Sequence, residues 1–188
     1  MYVSLADSVL SRNKTISPAL LSFLLVVGGS ALIALCSQVS FPLPFTPVPV
    51  TGQTFGVLVV GMALGARKGA MAVLAYLAEG FAGLPVFAGG AAGIAQLLSP
   101  TGGYLLGFVL SAMVCGKLAE MGFDRKMGTT LLAMAIGNLV IFLPGLLWLR
   151  QFVPAGQAVA LGLLPFLPGA IVKTLAASMI FPSIRKKI

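Results

Sequence analysis

Residues 164–182 read LPFLPGAIVKTLAASMIFP. Prolines open and close the run, apolar residues fill it, and Lys173 stands well inside. An ammonium at the bilayer centre costs a few kcal/mol or more, so intramembrane cations mark pathways and sites. Whether that cost applies depends on the solvent around the segment, which composition decides. Of 188 residues, 59% are hydrophobic and 9% charged, against about 25% charged in soluble domains. Such a chain has too little polar surface to cover a soluble fold. It reads as an all-α integral membrane protein, and its 23 glycines and 12 prolines suit membrane helices, where both are commoner than in soluble ones.

A spanning helix needs about 20 mostly apolar residues. The pattern predicts six transmembrane helices, at 18–38, 54–66, 69–83, 101–119, 128–149 and 161–182. The second and third are short, joined by a tight GARKG turn at 65–69. With no repeat or linker, a single membrane domain is expected: a six-helix bundle over 18–183, a cytoplasmic N-terminal segment over 1–17 and a basic tail over 184–188. On this topology ten of the twelve Lys and Arg residues share one side: Arg12, Lys14, Arg67, Lys68, Lys117, Arg125, Lys126, Arg185, Lys186 and Lys187. The positive-inside rule makes both termini cytoplasmic. A basic strip facing anionic lipid accounts for the net charge of +8 without a nucleic-acid partner.

Arg12 and Lys14 before an apolar run also resemble the start of a secretory signal. Removing the first helix would reverse the charge distribution, so it is expected to be retained, and Leu35 is too large for the residue before a lipoprotein-type Cys36. Cys36 and Cys115 fall toward opposite faces, which argues against a disulfide.

Depth follows from topology. Lys173 lies five residues past Pro168, about 8 Å down a helix rising ~1.5 Å per residue. Glu79 and Arg150 reach a comparable level, so a polar pocket open to the outside is expected. Lys173 reads as an anchor for a ligand carboxylate, with snorkelling or a structural pair with Glu79 as alternatives. Glu79 divides between a site and an ion-pair role, and Arg150 reads more simply as interfacial. Two outer loops flank that pocket. SFPLPFTPVPVTGQT, 40–54, has prolines at 42, 44, 47 and 49, a spacing that favours stiff extended backbone and a strap carrying Phe41 and Phe45. GLPVFAGGAAGIAQLLSPTGGY, 83–104, is long, uncharged and rich in glycine, which lets backbone approach a ligand; Phe87 and Tyr104 supply ring faces.

Gly61, Gly65 and Gly69 recur at four-residue spacing, as do Gly103, Gly107 and Ser111. Such stripes serve close helix packing, inside the bundle or against another membrane protein; Ser30 and Ala34 offer a third. There is no phosphate-cradling loop, no histidine and no pair of carboxylates in the pocket. Neither a catalytic centre, a metal site nor a cofactor is expected, and a ligand-binding bundle without its own motor remains.

TPVPVTGQTFGVLVVGMALGARKGA, YLAEGFAGLPVFAGGAAG, SPTGGYLLGF and LPFLPGAIVK occur in that order. Together they resemble the BioY family, the biotin-specific substrate-binding S components of energy-coupling-factor vitamin transporters. The resemblance covers about 40–178 and implies a six-helix protein of the cell membrane that captures biotin from outside. It further implies a transmembrane coupling protein and two cytoplasmic ATPases as partners, with Ser30, Ala31 and Ala34 on the first helix contacting the coupling protein. Lys173 matches the family lysine after the PG motif and would meet the biotin carboxylate, with Phe41, Phe45, Phe87 and Tyr104 around the ring. Many members carry an aspartate three residues before that lysine, where Ala170 stands here. Glu79, one turn from Tyr76 on the same face, is the expected substitute acceptor for the ureido N–H groups, with Gln53 behind it. A self-sufficient ion-coupled carrier using Glu79 as a proton site is the alternative from a different class, and an S component for another vitamin is a third.

Overall fold

The computed structural model describes residues 4–10 and 17–185. Arg12, Lys14, Lys186 and Lys187 lie outside the described residues, so the basic strip is followed through its other members. The expected N-terminal segment contains a short helix, α1 (Leu5–Leu10), whose Leu5 and Ala6 are buried in the core. The first long helix, α2 (Pro18–Gln38), starts where its sequence dictates. The Ser17 hydroxyl accepts the Leu20 N–H at 3.3 Å, and Pro18 takes the first helical position, where a missing N–H costs nothing.

Beyond α2 the strap is not an open extended segment. β1 (Ser40–Phe41) pairs antiparallel with β2 (Val50–Thr51), Ser40 opposite Thr51 and Phe41 opposite Val50. Pro42, Pro44, Pro47 and Pro49 all fall between the paired residues, where no ladder N–H is required. The strap is therefore a closed hairpin loop, tied across the bundle by Thr46 Oγ1, which donates to Leu161 O at 2.8 Å.

The next helices, α3 (Gln53–Leu64) and α4 (Ala66–Phe81), meet at Gly65 alone. Its φ of 83° is a left-handed conformation that favours glycine, so the expected five-residue turn contracts to one residue and Arg67 and Lys68 belong to α4. After a loop holding the single turn α5 (Ala95–Leu98) come α6 (Gly102–Glu120) and α7 (Met127–Leu149). The helix expected over 161–182 is broken: α8 (Ala158–Gly162) stops before a 3-10 turn at Leu164–Phe166, and α9 (Leu167–Arg185) carries on. Pro165 cannot donate a helical hydrogen bond and crowds the preceding turn. The Gly162 carbonyl at the break instead accepts Tyr104 OH at 2.8 Å.

Among the described residues, α2, α6, α7 and the stretch 158–185 are long and apolar enough to cross a membrane. At 12 residues, α3 spans about 18 Å at ~1.5 Å per residue, short of a hydrocarbon core of ~30 Å. Outward-facing Phe23, Leu35, Leu147, Val172 and Met179 are each more than 60% exposed, which a bilayer accommodates and water would not. The interior is close-packed around α6. A Cβ on Gly61 would sit 2.8 Å from Ala112 Cα, one on Gly69 would sit 2.8 Å from Gly61 Cα, and one on Gly107 would sit 2.9 Å from Ile141 O. Both glycine stripes therefore serve packing inside the bundle.

One end gathers the charges. Glu120 Oε1 accepts the Ala66 N–H at 2.9 Å, capping α4 from a neighbouring helix. Arg185 is the last residue of α9 rather than part of a free tail. Its Nε donates to buried Asp124 Oδ2 at 2.5 Å and its Nη1 to Ser8 Oγ at 3.1 Å, fastening α9 to the α6–α7 turn and to α1.

Candidate ligand site

The opposite end is assembled differently. There the hairpin loop, the 82–101 loop, α3, α6, α7 and α9 enclose a cavity of about 210 Å³. Its apolar wall consists of Pro47, Val48, Phe87, Phe108, Phe142 and Phe166, with Tyr104 among them. Tyr104 meets Phe142 edge-on at a centroid distance of 6.4 Å, and Phe166 stands 6.5 Å from Tyr104 and 6.4 Å from Phe142. Rings of this size fill space while leaving a lipophilic slot between them.

Phe87 owes its place to the glycine-rich loop. It plugs down against Gly80, where any Cβ would overlap its ring, and its centroid lies 5.5 Å from those of Tyr76 and Phe81. Two side chains of α2 and one backbone bond of the loop secure it. Ser37 Oγ donates to Val86 O at 2.5 Å, Gln38 Nε2 reaches Pro85 O and Phe87 O at 3.5 Å, and the Gly93 N–H bonds Gly80 O at 2.8 Å.

Among the described residues, Lys173 is the one charged side chain in the cavity lining. Its Nζ donates to Thr51 O at 2.5 Å and to Thr54 Oγ1 at 3.1 Å, holding the ammonium at the start of α3. An ammonium has three donors, and helix N-termini favour anions, so an incoming carboxylate would find a donor and a favourable dipole together. Lys173 neither snorkels away nor pairs with Glu79. The position one turn earlier, Ala170, also lines the cavity and contributes no polar atom beyond its backbone.

The other expected residues separate into groups. Gln53 lines the cavity, buried, with its Oε1 accepting Thr51 Oγ1 at 3.2 Å and its Nε2 donating to Tyr76 OH at 2.5 Å. Tyr76 is thus a buttress behind Gln53 rather than part of the wall. Glu79 is outside the lining: its Oε2 accepts Ser30 Oγ at 2.7 Å, joining α4 to α2. Phe41 and Phe45 turn outward, 64% and 58% exposed, and Arg150 is exposed beyond the end of α7. Ser30 is fully buried, so of the three small residues on α2 it is Ala31 that faces outward, with Ala34 half-buried. Cys36 and Cys115 are both free thiols.

Sequence reasoning missed Thr51, Thr54, Gln96, Phe108, Phe142 and Phe166 as lining residues. Phe108 was within reach, because it stands four residues after Tyr104 on one helix face. Phe142 carries no local signal, since an aromatic on a membrane helix faces lipid or protein with equal ease.

The chain is 39% identical over 150 residues to the probable biotin transporter BioY of Pyrococcus horikoshii, covering 80% of this chain and 87% of that one. It is also 39% identical over 165 residues to the biotin transporter BioY2 of Lactococcus lactis subsp. cremoris, covering 85% and 87%. The fold matches the crystal structure of the S-component for biotin from an ECF-type ABC transporter with a TM-score of 0.81, at 25% identity, over 92% of this chain and 95% of that one. The profile of the BioY family matches residues 11–188. Sequence, fold and membrane-spanning helices agree, and this multi-pass membrane protein belongs to the BioY family.

Proposed function

We propose that the chain captures biotin as the substrate-binding subunit of an ECF-type uptake transporter, working with a coupling protein and two ATPase subunits. The observation that carries this reading is the ammonium of Lys173 in an aromatic cavity whose lining, among the described residues, holds no other charge. Biotin supplies a carboxylate for that ammonium, a charge-assisted contact, and an apolar chain and thioether ring for the slot. In this reading α3 and α4 complete six spans, shorter than the others, with the hairpin loop before α3 and the 82–101 loop after α4. Both termini are cytoplasmic, since Lys117, Arg125 and Lys126 accompany Arg185 at the end opposite the cavity. The cavity then faces the exterior, and the exposed small face of α2 around Ala31 meets the coupling protein. Glu79 is engaged by Ser30 away from the cavity, so nothing in the site favours an ion-coupled carrier.

The test is binding of biotin and biotin methyl ester to the detergent-purified chain and to Lys173→Ala. Biotin is expected to bind well, and both the ester and the variant to lose about 100-fold or more, as expected when one partner of a buried charge pair is removed (about 2–5 kcal/mol). A variant that binds biotin as tightly as the wild type would remove Lys173 from the site. In proteoliposomes, uptake is expected to vanish when the ATPase subunits are omitted.

A further inference from the structure

One polar side chain of the cavity lining stands apart from the rest. Thr51 and Gln53 bond each other, and the Gln53 amide nitrogen is taken by Tyr76. Thr54 receives Lys173, and Tyr104 donates to Gly162 O. Ser99 and Thr101 share a hydrogen bond at 2.7 Å. Gln96 lines the same cavity, yet among the described residues its side-chain amide has no hydrogen-bond partner, and neither amide atom is among the buried unsatisfied ones. The amide is thus uncommitted on a half-buried residue of the cavity lining.

Its backbone, by contrast, is fixed. Gln96 N–H bonds Gly93 O at 3.2 Å, Gln96 O accepts Ser99 Oγ at 2.7 Å, and Trp148 Nε1 pins Ser99 O at 3.0 Å. The turn fixes where the Gln96 side chain starts, and the amide remains uncommitted at the cavity lining.

We propose that Gln96 is a ligand-contacting, specificity-determining residue that recognises a planar group with donor and acceptor side by side, a cyclic urea, while Lys173 holds the carboxylate. The proposal rests on the biotin reading. A primary amide offers one carbonyl acceptor and two N–H donors, the complement of a urea N–H beside its C=O. The two residues expected for this task are differently placed: Glu79 lies outside the lining, and each polar atom of the Gln53 amide already makes one hydrogen bond within the protein, whereas the Gln96 amide makes none among the described residues. Ala170 offers no side-chain acceptor. Gln96 is the amide left over.

Two ligands separate recognition from packing: biotin, and an analogue that keeps the thiolane ring and pentanoate but lacks the ureido ring. Gln96→Leu is expected to weaken biotin roughly tenfold or more, the cost of leaving hydrogen-bonding groups unpaired in a closed site, and to bind the ring-only acid as the wild type does. Gln96→Met, closer to glutamine in length, takes its place if the leucine variant fails to fold. Equal losses for both ligands, or undiminished biotin binding, would overturn the assignment while leaving the biotin reading intact. A folded wild-type chain that binds no biotin would overturn the biotin reading, and this inference with it.

Discussion

The two ends of the bundle use the same helices for opposite purposes. At the basic end the helices meet backbone to backbone. A Cβ on Gly116 would overlap Gly65 and Ala66, and Ala112 and Ala119 are fully buried. At the cavity end the same α6 presents Tyr104 and Phe108, whose rings hold the helices apart around empty space. Polar groups divide likewise. Glu120 caps α4 and Asp124 takes Arg185, so the acids of the basic end serve other parts of the chain. At the cavity end, Lys173 and Gln96 belong to the cavity lining. Small residues hold the helices close, at Gly102 and Gly103 as well as at Gly116, and large rings line the cavity; a chain lacking a hydrophobic drive between helices in lipid needs both.

The comparison breaks most visibly at Gly61. Gly61→Leu drives a side chain into the Ala112 backbone, which cannot move aside, so α3 is expected to leave α6 and no monodisperse folded protein to survive size-exclusion chromatography. Gly28, which has no atom within 4 Å of a hypothetical Cβ, is the control, and Gly28→Leu is expected to elute and unfold like the wild type. If Gly61→Leu did the same, close packing would not define the basic end. A smaller effect is expected from Asp124→Ala, which takes the buried carboxylate from Arg185 Nε. The loss of one partner from a buried pair costs on the order of 3–5 kcal/mol, read as lower resistance to denaturation. Biotin affinity of the folded fraction is expected to stay unchanged, because the pair lies at the end opposite the cavity; a parallel fall in affinity would join the two ends into one unit.

This division explains what the sequence could and could not reveal. Periodicity and charge placed α2, α6 and α7 to within a residue or so at each end, because long apolar runs with basic flanks have few other solutions in lipid. Lys173 stood out because a cation in such a run demands a reason. The strap failed as an extended segment because proline spacing reports local stiffness, whereas the pairing of Ser40 with Thr51 closes a loop between distant residues. Gln96 was overlooked for a related cause. A lone glutamine in a glycine-rich loop has no pattern, and it stands apart only once the hydrogen bonds of the other polar side chains in the lining are traced.

Glu79 tests where the border between the two regimes runs. By depth it belongs with the cavity, near the end of α4 and three residues past Tyr76. By contact it belongs with the packing, since Ser30 on α2 donates to it at 2.7 Å. If contact governs, Glu79→Gln keeps an acceptor for Ser30 and is expected to change biotin affinity less than about twofold, with a stability loss within the ~0.6 kcal/mol typical of an interhelical hydrogen bond in a membrane protein. Glu79→Leu removes the acceptor and is expected to cost up to about 2 kcal/mol of stability, again with affinity nearly unchanged. A tenfold loss of biotin binding in Glu79→Gln would place the carboxylate's influence inside the cavity, most directly through Tyr76 and Gln53, and the ligand site would then extend behind the wall that Gln53 forms.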